Sequence, residues 1–213
     1  MPFSLPRFYP ILDAAALSRA GLDPLETARA LVGAGVEIVQ FRWKGPYTCA
    51  AIETAEALEK IVHQVDARYV INDRADIALL AGADGVHVGQ DDLPPEAVRR
   101  VIGDRLFLGY STHNRAQLEA AAAEPIDYVA LGPVFATASK ENPDPRVGLE
   151  ELARLAPSAG ARPLVAIGGI TLETAPAVLA AGAAACAVIS DWMPRNGKLD
   201  SDWRQHLESW VRL

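Results

Sequence analysis

The chain has 213 residues, 50% of them apolar and 22% charged, with a formal net charge of −7. That length fits one domain or two small ones with a real core, and the apolar share excludes a disordered chain. The acidity excludes a non-specific nucleic-acid or anionic-membrane binder, whose phosphate contacts need a basic surface. Two cysteines, Cys49 and Cys186, without a CxxC spacing give neither a disulfide framework nor a cysteine zinc site. Met1–Pro10 has three prolines and no apolar signal-peptide core. The longest small-apolar stretch, Ala175–Ser190, is broken by Pro176 and Gly182 and is too short to span a bilayer. A soluble, cytoplasmic protein is expected, with no nucleic-acid or membrane partner.

In chain order, two kinds of segment alternate. Short, continuous apolar runs read as parallel strands buried on both faces: Phe8–Asp13, Ile38–Arg42, Tyr69–Asn72, Gly85–Val88, Phe107–Ser111, Tyr128–Leu131, Leu164–Ile167 and Ala185–Ile189. Between and after them come longer segments of helical period: Pro24–Ala34, Thr48–Gln64, Ala75–Ala81, Pro95–Ile102, Arg115–Ala123, Leu149–Leu155, Leu172–Ala181 and Ser201–Val211. Asp23 with Pro24 and Glu26 reads as a capped helix start, and Thr171 offers a cap to Leu172–Ala181. Gly35, Gly82 and Gly182 each follow a helix and lead into a strand, as a left-handed residue there does. Eight strands alternating with eight helices and no linker predict a single (β/α)8 TIM barrel over residues 1–213, with an open doubly wound sheet as the alternative. Residues 1–7 read as a loose lead-in. Residues 132–147, with three prolines, read as an active-site loop.

In such a barrel, chemistry comes from the carboxyl ends of the strands. Those ends carry Gln40, Arg42, Trp43 and Lys44, then Asn72 and Asp73, then His87, Gln90, Asp91 and Asp92. They continue with Ser111 and His113, Thr137, Ser139 and Lys140, Gly168 and Gly169, and Ser190. Two of only four lysines therefore fall on one rim. Gly168-Gly169 and Ile189-Ser190 match the phosphate site after strands seven and eight. Arg42, Lys44 and Lys140 beside Asp73 and Asp92 suit a diphosphate with Mg2+, since that ion takes one or two carboxylates and fills its shell with water and phosphate oxygens. The bland alternative is that the two aspartates only cap the helices after them. His87, inside an apolar run, reads as a buried, hydrogen-bonded core histidine, and Cys186 as inert packing.

Seven segments in this order resemble the thiamine phosphate synthase family, which also includes thiazole tautomerases. They are Gln40–Lys44, Ile71–Arg74, Ala83–Asp92, Gly109–His113, Gly132–Lys140, Val165–Ile170 and Val188–Ser190. The resemblance implies condensation of an aminopyrimidine methyl diphosphate, 4-amino-2-methyl-5-(diphosphooxymethyl)pyrimidine, with a thiazole phosphate or its carboxylated form. The products would be thiamine phosphate and diphosphate, reached by dissociative, Mg2+-assisted chemistry. It also implies that Gln40, Phe41, Arg42, Trp43, Lys44, Asn72, Ser111 and Lys140 bind the pyrimidine diphosphate, and that Asp73 and Asp92 hold Mg2+. Thr137, Ala138, Ser139, Gly168, Gly169, Ile189 and Ser190 would hold the thiazole phosphate. Arg42, Lys44, Lys140 and Ser111 carry the catalytic assignment, and His113 is a further candidate near the pocket. Three residues depart from the family's pattern: Trp43 for an acid, Ala136 for a proline and Ser139 for a threonine. A thiazole tautomerase using His113, or an inactive phosphoheterocycle-binding barrel, are the alternatives. A homo-oligomer is left open.

Overall fold

The protein is described here by a computed structural model covering residues 3–137 and 144–213. Eight strands close into one barrel in sequence order: β1 (Phe8–Asp13), β2 (Ile38–Arg42), β3 (Arg68–Asn72), β4 (Gly85–Val88), β5 (Phe107–Thr112), β6 (Tyr128–Leu131), β7 (Leu164–Ile167) and β8 (Ala185–Val188). Every neighbouring pair is parallel, and β8 closes onto β1 through Cys186 opposite Phe8. Closure excludes the open sheet.

Successive strand residues point to opposite faces, and this splits the core in two. Tyr9, Ile11, Ile38, Val70, Tyr128 and Val165 fill the barrel interior with small residues such as Ala130 and Ala185. The alternate positions, such as Leu12, Phe41, Ile71 and Leu108, face the surrounding helices. Burial on both sides is why the strands read as unbroken apolar runs. Below the interior, Phe3 packs on Phe107 at a centroid distance of 4.9 Å, under the Arg68 guanidinium at 5.4 Å.

The helices among the described residues are α1 (Ala14–Ala20), α2 (Pro24–Gly33), α3 (Cys49–Val62), α4 (Ala75–Leu80), α5 (Pro95–Ile102), α6 (Arg115–Ala121), α7 (Leu149–Leu155), α8 (Ala175–Ala180) and α9 (Ser201–Val211). A short 3-10 turn, Ala156–Ala159, follows α7. None is long and apolar enough to cross a membrane. Asp23 caps α2 by accepting from the Glu26 N–H at 2.8 Å, as its sequence predicts. Gly35, Gly82 and Gly182 all have positive φ.

Three expectations need correction. The alternation is not strict, because β1 is followed by α1 before α2. Asp13 caps α1 through the Ala16 N–H at 2.8 Å, and Gly21 ends it in the left-handed conformation. The helix expected from Leu172 begins only at Ala175. There Thr171 and Thr174 bond each other, Thr171 N to Thr174 Oγ1 at 2.9 Å, so the threonine forms a turn instead of a cap. The last strand stops at Val188, leaving Ile189 in the loop that follows.

Candidate active site

The carboxyl ends of the strands surround one cavity of about 230 Å3. Strand parity decides what reaches it. On β2 the inward set is Ile38, Gln40 and Arg42; on β3 it is Val70 and Asn72; β4 contributes His87 and β5 contributes Ser111. Lys44 and Asp73 follow in the loops. Phe41 has the opposite parity and is fully buried in the layer between barrel and helices. Trp43 follows the same parity. It packs on Phe41 and Tyr47, at centroid distances of 6.4 and 6.5 Å, and donates from Nε1 to the Pro46 carbonyl at 3.1 Å. Neither Phe41 nor Trp43 lines the cavity, contrary to the expectation that they contact the pyrimidine.

Charges gather at the β1–β4 side. The Arg42 guanidinium donates to Asp13, the carboxylate that also caps α1. The Lys44 ammonium donates to Asp73 Oδ2 at 2.5 Å. Asp92 accepts from the Gly89 N–H at 2.7 Å and lies against Asp73. Burial raises the Asp73 pKa above the usual carboxylate range; Lys44 opposes this, and the adjoining Asp92 adds to it. Two carboxylates held together favour a proton on one of them unless a cation intervenes. The donor set therefore suits Mg2+. Among the described residues no three acidic, histidine or cysteine side chains converge, so two carboxylates would leave the remaining positions to water and phosphate oxygens. Beside them, the buried Asn72 Nδ2 has no hydrogen-bond acceptor among the described residues, and Asn72 lines the cavity, a donor in want of a ligand.

The cavity floor is a connected polar chain. Gln40 Nε2 donates to the Tyr9 hydroxyl at 3.0 Å, and that hydroxyl lies 3.1 Å from the Tyr128 hydroxyl. The Tyr128 hydroxyl lies 2.8 Å from His87 Nδ1, and His87 Nε2 lies 2.8 Å from Ser111 Oγ. Burial pushes the His87 pKa down to about 4 and the Tyr9 pKa up to about 12, so all these groups are neutral near pH 7. His87 is thus the hydrogen-bonded buried histidine its setting suggests, and it also faces the cavity. Tyr9 and Tyr128 were hidden in runs that read as plain apolar strand. Their signal is parity: each sits two residues before another inward residue of its strand, Ile11 or Ala130.

At the opposite side, after β6, β7 and β8, backbone takes over. Gly168 and Gly169 have φ of +97° and +65° and line the cavity with Ile189 and Ser190. A Cβ on Gly169 would lie 2.3 Å from the Ala136 carbonyl oxygen, so only glycine allows this approach to the loop after β6. Asp191 joins the two loops by accepting from the Leu172 N–H at 3.1 Å. Thr137 lines the cavity here. His113 also lines it; its Nδ1 donates to the Gly132 carbonyl at 2.8 Å and lies 3.5 Å from Asp144 Oδ2. Ala138, Ser139 and Lys140 lie outside the described residues.

A closed parallel barrel whose strand ends bring a carboxylate pair, cations and a glycine-lined loop around one cavity has the layout of a barrel enzyme. The particular kind follows from comparison with known proteins. The family described as Thiamine monophosphate synthase matches residues 8–192, and the chain belongs to that family. It is 44% identical over 210 residues to a thiamine-phosphate synthase of Koribacter versatilis, covering 96% of this chain and 97% of that one. It is 46% identical over 171 residues to one of Anaeromyxobacter dehalogenans, covering 79% and 75%. The solved thiamine phosphate pyrophosphorylase of Pyrococcus furiosus superposes with a TM-score of 0.81 at 30% identity, over 97% of this chain and 93% of that one.

Proposed function

We propose that the chain is a transferase of the thiamine-phosphate synthase type, joining an aminopyrimidine methyl diphosphate to a thiazole phosphate with release of diphosphate. One observation carries the reading: a single cavity has a cation-and-carboxylate wall on the β2–β4 side and a glycine and serine wall on the β7–β8 side. Two anionic substrates could then face each other across it.

In the proposed reaction, the carbon–oxygen bond of the pyrimidine methylene breaks and its electron pair leaves with diphosphate. Arg42, Lys44 and Asn72 Nδ2 would receive that growing negative charge, preorganised by Asp13 and Asp73. Asp73 and Asp92 would hold Mg2+, which supplies further charge neutralisation to the departing diphosphate when bound. The electron-poor methylene is then captured by the thiazole nitrogen, forming the new carbon–nitrogen bond. Neutral His87, which faces the same cavity, would place no full positive charge beside a ring on which a cation develops. Gly168, Gly169 and Ser190 would fix the thiazole phosphate so that its nitrogen points at that carbon, and positioning of this kind is a large part of such a rate enhancement. Lys140 belongs to the same reading as a further diphosphate contact.

The test is to incubate the protein with both substrates, with and without Mg2+, and follow thiamine phosphate by mass spectrometry. Metal-dependent product that disappears in Asp92→Ala is expected. Turnover of the thiazole phosphate alone, unaffected by chelator, would instead favour isomerisation through His113.

A further inference from the structure

We infer that Tyr9, Tyr128 and His87 are positioning residues that set the Ser111 hydroxyl as a hydrogen-bond donor into the cavity, toward an acceptor nitrogen of the pyrimidine ring. The direction follows from counting protons along the chain of contacts. The ring's identity rests on the synthase reading.

With the Gln40 amide oriented so that Nε2 faces Tyr9, it has only protons to offer there and the Tyr9 oxygen accepts. The Tyr9 proton then has the Tyr128 oxygen as its neighbour. With its oxygen accepting, Tyr128 gives its own proton to His87 Nδ1. A ring that accepts at Nδ1 carries its proton on Nε2 and donates to Ser111 Oγ. Ser111 is left with its hydroxyl proton for whatever fills the cavity it lines.

The reverse arrangement fails at its far end. Were Ser111 to donate to Nε2, then Nδ1 would donate to Tyr128 and Tyr128 to Tyr9. The Tyr9 oxygen would then accept from both Gln40 and Tyr128, and its own proton would have no acceptor among the described residues, at a nearly buried hydroxyl on the cavity floor. A doubly protonated imidazole fails for the same reason, because it too forces Tyr128 to donate toward Tyr9. The barrel also makes room for this chain deliberately: a Cβ on Gly109 would lie 2.0 Å from the Tyr128 ring, so the inward position beside it on β5 has no side chain. A serine hydroxyl set this way favours a ring nitrogen with a free lone pair and disfavours a protonated or carbon-substituted ring at that position.

The experiment reads the histidine tautomer directly. Protein labelled with 15N-histidine should show His87 as the neutral Nε2–H form near pH 7. Tyr128→Phe should shift it toward a mixture with Nδ1–H and raise KM for the pyrimidine diphosphate about three- to tenfold, the worth of one hydrogen bond, leaving KM for the thiazole phosphate unchanged. His87→Gln, whose amide can accept from Tyr128 and donate to Ser111, should recover most of the affinity lost in His87→Ala. An Nδ1–H ring in the unaltered protein, or a Tyr128→Phe that raises both KM values equally with the tautomer intact, would overturn the inference. The tautomer needs no turnover to be seen. An Nε2–H ring in a protein that makes no thiamine phosphate therefore counts against the synthase reading and supports the hydrogen-bond direction.

Discussion

Asp73 is the one non-glycine residue at positive φ among the described residues, at +66°. Its N–H reaches across to the His87 carbonyl at 2.7 Å, which ties the end of β3 to β4 and turns the carboxylate toward Asp92. Asparagine tolerates the same backbone better than most residues, so Asp73→Asn removes the charge without disturbing the turn. The pKa of Asp73 is raised, first by burial and then by Asp92. The folded protein therefore holds this proton more tightly than the unfolded chain, and the ionised form costs stability above the folded pKa. In the absence of metal, Asp73→Asn should melt at the same temperature as the unaltered protein or higher. It should also lose about 10²–10³-fold in turnover and the thermal shift produced by Mg2+ with diphosphate. A variant that keeps that shift would remove Asp73 from the metal site. The sequence exposes most of this wall, because charged and amide groups at strand ends stand out from apolar runs. It misleads at Phe41 and Trp43, which are adjacent to the functional residues in sequence but opposite in parity. It hides Tyr9 and Tyr128, whose hydroxyls matter while their rings look like core.

Elements are placed by their ends. Helix α1 is a seven-residue run that is largely alanine, too short to stand out by period, yet Asp13 before it and Gly21 after it are ordinary helix boundaries. Read by caps alone, it was legible. The Thr171 cap was not, because a threonine three residues before a second threonine can equally close a turn on itself. A different device anchors α3. His63, just beyond its end, bonds Glu59 on the same helix and Asp84 in the turn before β4, both at 2.8 Å. Asp84 in turn accepts from the Tyr69 N–H of β3 at 2.7 Å. Burial alone would lower the His63 pKa, but the bonds and charges of Asp84 and Glu59 outweigh it and raise the value. A histidine with a raised folded pKa contributes stability in full below its unfolded pKa of about 6.5, and loses it as pH climbs through the folded value. Chemical denaturation from pH 5.5 to 8.5 should show that decline, and His63→Gln should flatten it. An identical slope in the variant would mean another group is responsible.

At the scale of the whole barrel, two unlike sets of residues lie on opposite sides of one opening, and the proposed reaction makes each of them an anion site. In that proposal one side would grip with side chains, Arg42, Lys44 and the aspartate pair, whose charge suits a diphosphate that must leave. The other would grip with the backbone of Gly168 and Gly169 and the loop of Ser190, which suits a phosphate that stays in place while its ring reacts. If that division holds, the two sides can be damaged separately. Gly169 tests it because its φ of +65° disfavours any other residue and its missing Cβ would sit 2.3 Å from the Ala136 oxygen. Gly169→Ala must push the loop after β7 away from the loop after β6, at a cost of about 1–2 kcal/mol in backbone strain alone. Borne by the phosphate contact, that strain corresponds to a rise of about five- to thirtyfold in KM for the thiazole phosphate. KM for the pyrimidine diphosphate should stay within about twofold, because β2, β3 and β4 lie across the barrel and packed interiors confine such shifts to their surroundings. Steady-state kinetics with each substrate varied in turn decides it. Equal increases in both constants would show that the two sites are coupled through a shared closure and not built on separate walls.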